Sequence, residues 1–442
     1  MFQEAFLTEN HAQVGRDSMS QAAITLIVLV VAIVLFVIDI LPMGLVAFCV
    51  PVTLYFLGII EVSDIFTDVI NSNVILIIAM CVIGAAFFKT GLAYLVSQKV
   101  MKLTNSERGL ILVVVLLAGI MSGFVSNSGT VAVLLPIVLG IARAANIKPI
   151  KLLLPLVMGA TLGADFTIIG SPGNLIAKNT IEEYSNGTMH VGFFEYAKIG
   201  APMLIIVAIF LFFVGPKIIP NREPGESDAV SQDYSGIPKW HKIFTAVDLV
   251  VTVVLMVLTD YVDFLPPLHI IACIGAILIV AAGVLTEKEA FKSFELLTVF
   301  MLAFMSPLGA AMNNTGAGEM IADKVVSLTG QSGTLIIMGA MWLLTWFLTQ
   351  VMSNTAACTL LCPIAWTIAE TIGADPRAVV IAVFIASSVA VCTPMAIPAN
   401  AMILGPGNIR FKDFMLPGLC VSAVCFVVSM ILLPIFYPFY PG

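Results

Sequence analysis

Apolar runs follow one another from residue 22 almost to the C-terminus, separated by short polar stretches. They occupy 22–40, 45–60, 74–88, 110–123, 152–169 and 202–214, then 245–258, 268–285, 297–312, 335–348, 379–391 and 416–433. Most approach the roughly 20 residues a helix needs to cross a hydrocarbon core. Only helices and closed barrels satisfy their backbone groups in lipid, and runs this long exclude the alternating pattern of a barrel strand. The pattern predicts an all-α polytopic membrane protein.

Two polar interruptions stand out because they resemble each other. Ser126-Asn127-Ser128-Gly129-Thr130 leads to Pro136, and Ser353-Asn354-Thr355-Ala356-Ala357 leads to Pro363. Such triplets are poor helix material, since their side chains compete for backbone hydrogen bonds. At membrane depth they are tolerated only where buried in protein or lining a watery cavity. Other landmarks repeat in the same order. Leu41-Pro42 returns as Leu265-Pro266, and Gly58 returns as Gly283. Thr90-Gly91 returns as Thr315-Gly316. Gly170-Ser171-Pro172-Gly173-Asn174 is echoed by Ala396-Ile397-Pro398-Ala399-Asn400. One order of landmarks, kept at offsets of 224–227 residues, marks a duplicated fold.

Each triplet is taken as the tip of a re-entrant hairpin, over 108–143 and 333–373, leaving five full spans per half. That gives about ten transmembrane helices plus two re-entrant hairpins, with broken helices at the midplane. An odd number of spans per half inverts the second copy. The predicted order is an extracytoplasmic tail (1–21), a first repeat (22–216), a cytoplasmic linker (217–243) and a second repeat (244–438). The linker reading rests on Pro220, Pro224, Gly225 and Pro238 among mixed charges. Basic residues set the orientation. With both termini outside, only Arg16, Lys178, Lys198, Lys324 and Arg377 of the 20 basic residues remain outside. The expected location is the cell inner (plasma) membrane. No basic n-region precedes the first apolar run, so no signal peptide is read.

Composition adds little beyond this. The chain is 60% hydrophobic and 11% charged, which excludes an ordinary soluble domain. The eight cysteines are scattered, and Cys358 and Cys362, one turn apart, read as packing residues. The four histidines are dispersed. No nucleophile–base constellation or nucleic-acid patch is visible, so neither an enzyme nor an organic cofactor is expected.

The chemistry therefore concentrates at the tips. Ser126, Asn127, Ser128, Ser353, Asn354 and Thr355 offer hydroxyls, amides and helix N-terminal N–H groups, which suit anions. Their oxygens also suit a hard cation such as Na⁺. No lysine or arginine lies in either tip, so coupled cations would have to offset an anion's charge. Pro172 and Pro398 would break the spans that face the tips. Asp165 is an ionisable group at membrane depth and a possible proton or cation site. Asp39 reads as interfacial.

The paired hairpin motifs, the Gly-Ser-Pro-x-Asn break and its Pro-x-Asn echo resemble the divalent anion/sodium symporters of the ion transporter superfamily. These carry dicarboxylates, citrate or sulfate. The resemblance implies a homodimer with a scaffold and a mobile transport domain that moves substrate by an elevator motion. It also implies two sodium sites. One would use Ser122, Ser126, Asn127 and the Gly170 backbone, the other Thr349, Asn354 and the backbones of Met352 and Ala396. Pro172 and Pro398 would lie beside the substrate. The chain departs from the family at Ser128, Gly173 and Ile397, and at Asp165, where a small polar residue is usual. The expectation is a Na⁺-coupled importer of di- or tricarboxylates. The alternatives are an inorganic divalent-anion carrier, an exchanger and an H⁺-coupled carrier.

Overall fold

The structure is a computed structural model. It describes residues 21–35, 41–67, 72–92, 94–95, 104, 106–222, 236–259, 261–262, 264–294, 296–318, 320–321, 333–350, 352–394 and 396–440. Asp39, most of the N-terminal tail and the middle of the linker lie outside the described residues.

The described residues form helices and turns, without a strand. In the first half, the helices Gln21–Leu35, Met43–Phe56 and Ser72–Lys89 precede a hairpin of Glu107–Ser122 and Asn127–Ala144. A broken span follows as Ile150–Gly163 and Pro172–Tyr184, and then Ala197–Ile218. The second half repeats the order with Lys239–Leu258, Leu268–Ala281 and Leu296–Asn314, then the hairpin Thr334–Thr349 and Asn354–Thr371. Its broken span is Pro376–Ser388 and Pro398–Met402, before Phe411–Phe436. Among the described residues, four helices are long and apolar enough to cross a membrane by length and composition, including Ala197–Ile218 and Phe411–Phe436. The repeat extends to backbone torsions: Gly58 and Gly283 have φ of 71° and 70°, and Gly91 and Gly316 have 74° and 73°. Each ends a helix in the left-handed conformation that glycine adopts without steric cost.

The helices fall into two groups. Met43–Phe56, Ser72–Lys89, Lys239–Leu258, Leu268–Ala281 and Leu296–Asn314 pack on one another. The hairpins, the broken spans, Ala197–Ile218 and Phe411–Phe436 form the other group. The groups meet chiefly where Leu296–Asn314 lies on Asn354–Thr371. Within the second group the repeats interlock. The return helix of the second hairpin packs on Pro172–Tyr184, and Pro398–Met402 packs on the return helix of the first.

The breaks lie earlier than the prolines suggest. Regular helix stops at Gly163 and Ser388, and the irregular backbone runs from there to the prolines. Pro172 and Pro398 then open the next helices as first-turn residues. That is where a fixed φ and a missing N–H cost nothing. Gly173, beside the first of these prolines, serves packing. It is helical, and a Cβ there would stand 3.0 Å from Cys358 Sγ, so the glycine lets the two repeats approach.

Polar ties fix the periphery. Lys89 bonds Glu289 across the repeats at 2.7 Å. The buried Lys151 ammonium donates to the Pro216 carbonyl at 2.7 Å and to that of Ile219, closing the end of Ala197–Ile218. Arg222, at the start of the linker, makes a two-pronged bond with Asp413 in the second repeat.

Candidate functional site

Each hairpin tip is built by the same local chemistry. Ser126 and Ser353 are N-caps, accepting from the Gly129 and Ala356 N–H groups at 3.3 and 3.1 Å. The residue ending each entering helix reaches back to the tip. Ser122 Oγ donates to Asn127 Oδ1 at 2.7 Å, and Thr349 Oγ1 donates to Asn354 Oδ1 at 2.9 Å. Ser122 and Thr349 are fully buried, whereas Ser126, Asn127, Ser128, Ser353, Asn354 and Thr355 are partly exposed. The partner the two hydroxyls share by position is thus the motif asparagine.

The breaks are pinned by a second matched set. Asn174 Nδ2 donates to the carbonyls of Ala164, at 2.8 Å, and Thr167. Asn400 Nδ2 donates to those of Ala390 and Thr393 at 2.9 and 2.7 Å, with identical spacing along the chain. The asparagines therefore clamp their own breaks. Two threonines that sequence reasoning missed tie each break to its hairpin. Thr167 Oγ1 donates to the Gly123 carbonyl, and Thr393 Oγ1 to that of Gln350 at 2.7 Å. Both stand three residues before Gly170 and Ala396, a repeat that was available in the sequence.

The two halves differ in how hairpin meets broken span. In the first, glycines bring backbones into contact: a Cβ on Gly163 would lie 2.1 Å from the Gly119 carbonyl oxygen. In the second, Gln350 replaces contact with hydrogen bonds. Its Nε2 donates to Trp346 and Val389 carbonyls at 2.9 and 3.0 Å, and its Oε1 accepts from Cys392 N–H at 3.1 Å.

A cavity of about 190 Å³ lies at the first tip. Ser126, Gly129, Gly170, Ser171 and Pro172 line it, so the structure brings the first hairpin and the first break to one space. The N-termini of Asn127–Ala144 and Pro172–Tyr184 both end there, and Ser171 leaves its helix without a side-chain cap. The opposite wall comes from Ser72–Lys89, with Leu76, Ile77, Met80 and Phe88. Phe88 fills the notch left by Gly129, where a Cβ would stand 2.2 Å from the ring. No charged side chain is among the lining residues.

The second tip does not line this cavity. There Thr349 Oγ1, Asn354 Oδ1 and the Ser387 carbonyl converge, with the Thr349 hydroxyl 2.8 Å from Ser387 O. The all-oxygen donor set matches a hard cation. Met352 and Ala396 are buried nearby in sequence, and Pro398 is exposed. Asp165 sits in the short turn Ala164–Phe166 that opens the first break, fully buried. Both its oxygens lack a hydrogen-bond partner, although Ser388 of the second repeat approaches it.

Comparisons with known proteins agree with this architecture. The citrate transporter family model (CitMHS) matches residues 33–270 and 253–440. An uncharacterised transporter of Methanocaldococcus jannaschii is 23% identical over 405 residues, 90% of each chain. One from Synechocystis is 28% identical over 215 residues, 48% of this chain, and the match spans only 35% of that relative. Among solved structures, MtrF of Neisseria gonorrhoeae, described as illuminating a class of antimetabolite efflux pumps, superposes with a TM-score of 0.62 at 17% identity. That alignment covers 85% of this chain and 83% of MtrF, and at this identity it speaks for the fold alone. The multi-pass helical fold with its duplicated hairpins is therefore that of a membrane transporter, and the chain belongs to the citrate transporter family.

Proposed function

We propose that the chain is a secondary active carrier of small carboxylate anions, coupled to Na⁺. The observation that carries this reading is the convergence of two helix N-termini and the Ser126 and Ser171 hydroxyls on one cavity without a basic side chain. Free N–H groups and helix dipoles favour an anion there. With no lysine or arginine to balance it, bound cations supply the positive charge. The hydroxyl–amide pairs at Ser122/Asn127 and Thr349/Asn354 are the oxygen sites where they would bind. Ser126 and the Gly170 carbonyl would complete the first sodium site, and the Met352 and Ala396 carbonyls the second. The division into two helix groups supports an elevator motion of the hairpin group, with a homodimer formed through the other.

Uptake of labelled carboxylates and of sulfate into proteoliposomes, with and without a sodium gradient, tests this. Asn127→Ala and Asn354→Ala should each lower sodium-driven uptake at least tenfold with normal expression and folding. Near wild-type rates in either variant sink the hairpin-tip site. Uptake of sulfate alone, or exchange indifferent to sodium, would move the chain to the alternatives.

One observation favours a second coupling mode. Asp165 is buried with both oxygens unpaired, which is costly for a carboxylate at membrane depth. A proton bound there would remove that cost, so H⁺ coupling would run through Asp165. Asp165→Asn separates the two: it abolishes pH-dependent uptake if protons drive the carrier and leaves sodium dependence intact if they do not.

A further inference from the structure

The cavity at the first hairpin tip has two unlike sides. Its anion-binding groups stand on the hairpin and the break: the Ser126 and Ser171 hydroxyls and the helix N-termini they flank. The facing wall, contributed by Ser72–Lys89, presents Leu76, Ile77, Met80 and Cys81, and Ser293, which also lines the cavity, already donates its hydroxyl to the Ala290 carbonyl at 2.7 Å. Leu175, one turn into the helix after the break, continues the apolar lining on the polar side's own flank.

A tricarboxylate carries charge on every flank. Turned into this cavity, it would satisfy one end and press another carboxylate against Leu76 and Met80. An ionised group desolvated without a partner is strongly disfavoured even after relaxation. The polar pole is also small, with two hydroxyls and two helix termini for one carboxylate or a carboxylate with an adjacent oxygen. An apolar body opposite the carboxylate meets neither penalty, and its own surface leaves water as it enters.

Resting on the carboxylate reading above, we infer that the site selects amphipathic carboxylates: a single anionic pole, such as a 2-oxo or 2-hydroxy carboxylate, joined to an apolar body. The pole binds at Ser126 and Ser171. The body lies on Leu76, Ile77, Met80 and Leu175. The apolar wall then does more than give the two helix groups a smooth contact, because it reads the side of the substrate that faces it.

The purified full-length protein in detergent with NaCl supplies the test. Thermal stabilisation by pyruvate, 2-oxobutanoate, 2-oxopentanoate and 4-methyl-2-oxopentanoate is titrated beside succinate and citrate. Half-saturating concentrations should fall about fourfold per added methylene, the ratio that burial of one CH₂ gives. Citrate should stabilise least. Met80→Gln and Leu76→Asn, each checked for a wild-type elution profile, should shrink the gain per methylene. Binding of citrate or succinate at least as tight as that of 4-methyl-2-oxopentanoate overturns the inference and keeps the carboxylate reading. A flat chain-length series in the wild type does the same. Stabilisation by no carboxylate of either kind overturns both.

Discussion

At the scale of single residues, the two hydroxyls that end the entering helices divide the labour of the site. Ser122 has one oxygen partner, Asn127, whereas Thr349 stands between Asn354 Oδ1 and the Ser387 carbonyl. On the proposed sodium coupling, removing either hydroxyl takes one oxygen from a cation site. Ser122→Ala and Thr349→Ala should each raise the sodium concentration for half-maximal uptake severalfold, Thr349→Ala more. Anion affinity at saturating sodium should change little, while linkage makes the anion appear weaker at low sodium. Sodium titrations at fixed substrate check this, and unchanged curves in both variants would remove sodium from these positions. A separate residue reports on pH. The Lys89 ammonium, with the Thr286 backbone and side chain, holds the Glu289 carboxyl down to about 2. A depressed carboxylate contributes stability above its unfolded value, near 4.5, and loses it as pH falls toward 2. The pair is about two-fifths exposed, so solvent screening keeps it within about 1 kcal/mol. Glu289→Gln should therefore lower thermal stability slightly at pH 7 and converge with wild type near pH 2.

At the scale of elements, the close crossing of the first hairpin and its broken span invites a paired substitution. Gly163→Ala would drive a methyl into the Gly119 backbone, and neither backbone can retreat without moving its helix. The expected loss is about 1–3 kcal/mol. Gly140→Ala, in the middle of Asn127–Ala144 with open space around it, should instead be neutral or gain up to about 1 kcal/mol. Thermal unfolding of both variants in one detergent decides the matter, and equal effects would mean that the crossing carries no special constraint. These crossings also mark the limit of what the chain discloses beforehand. The hairpins and the order of elements were legible because each has a local cause, in hydropathy, in Ser-Asn chemistry and in the repeated offset. The starts of the breaks were not, since Leu162 and Val389 look like continuing helix and only the Asn174 and Asn400 clamps, acting over seven and ten residues, end it. The Gln350 cross-links were hidden for a similar reason. Its partners Val389 and Cys392, in the break after Pro376–Ser388, lie about 40 residues away, and its counterpart in the first half is a glycine.

At the scale of the whole molecule, the orientation is the first thing to establish. Single cysteines at Asp64 and Gly236 in a cysteine-free background can be probed with an impermeant thiol reagent in intact cells. Position 64 should label and position 236 should not, and the reverse pattern would invert the topology. Given that arrangement, the matched bonds Thr167 to Gly123 and Thr393 to Gln350 acquire a directional meaning. They are the same fastener fitted to two doors that open on opposite sides. Thr167→Val and Thr393→Val should therefore slow opposite halves of the transport cycle, one hindering loading from the cytoplasm and the other loading from outside. Zero-trans fluxes measured in right-side-out and inside-out vesicles would expose the pair as mirror images. A duplicated chain of this kind would carry its own compass: a substitution at a matched position has a twin whose kinetic defect should point the other way.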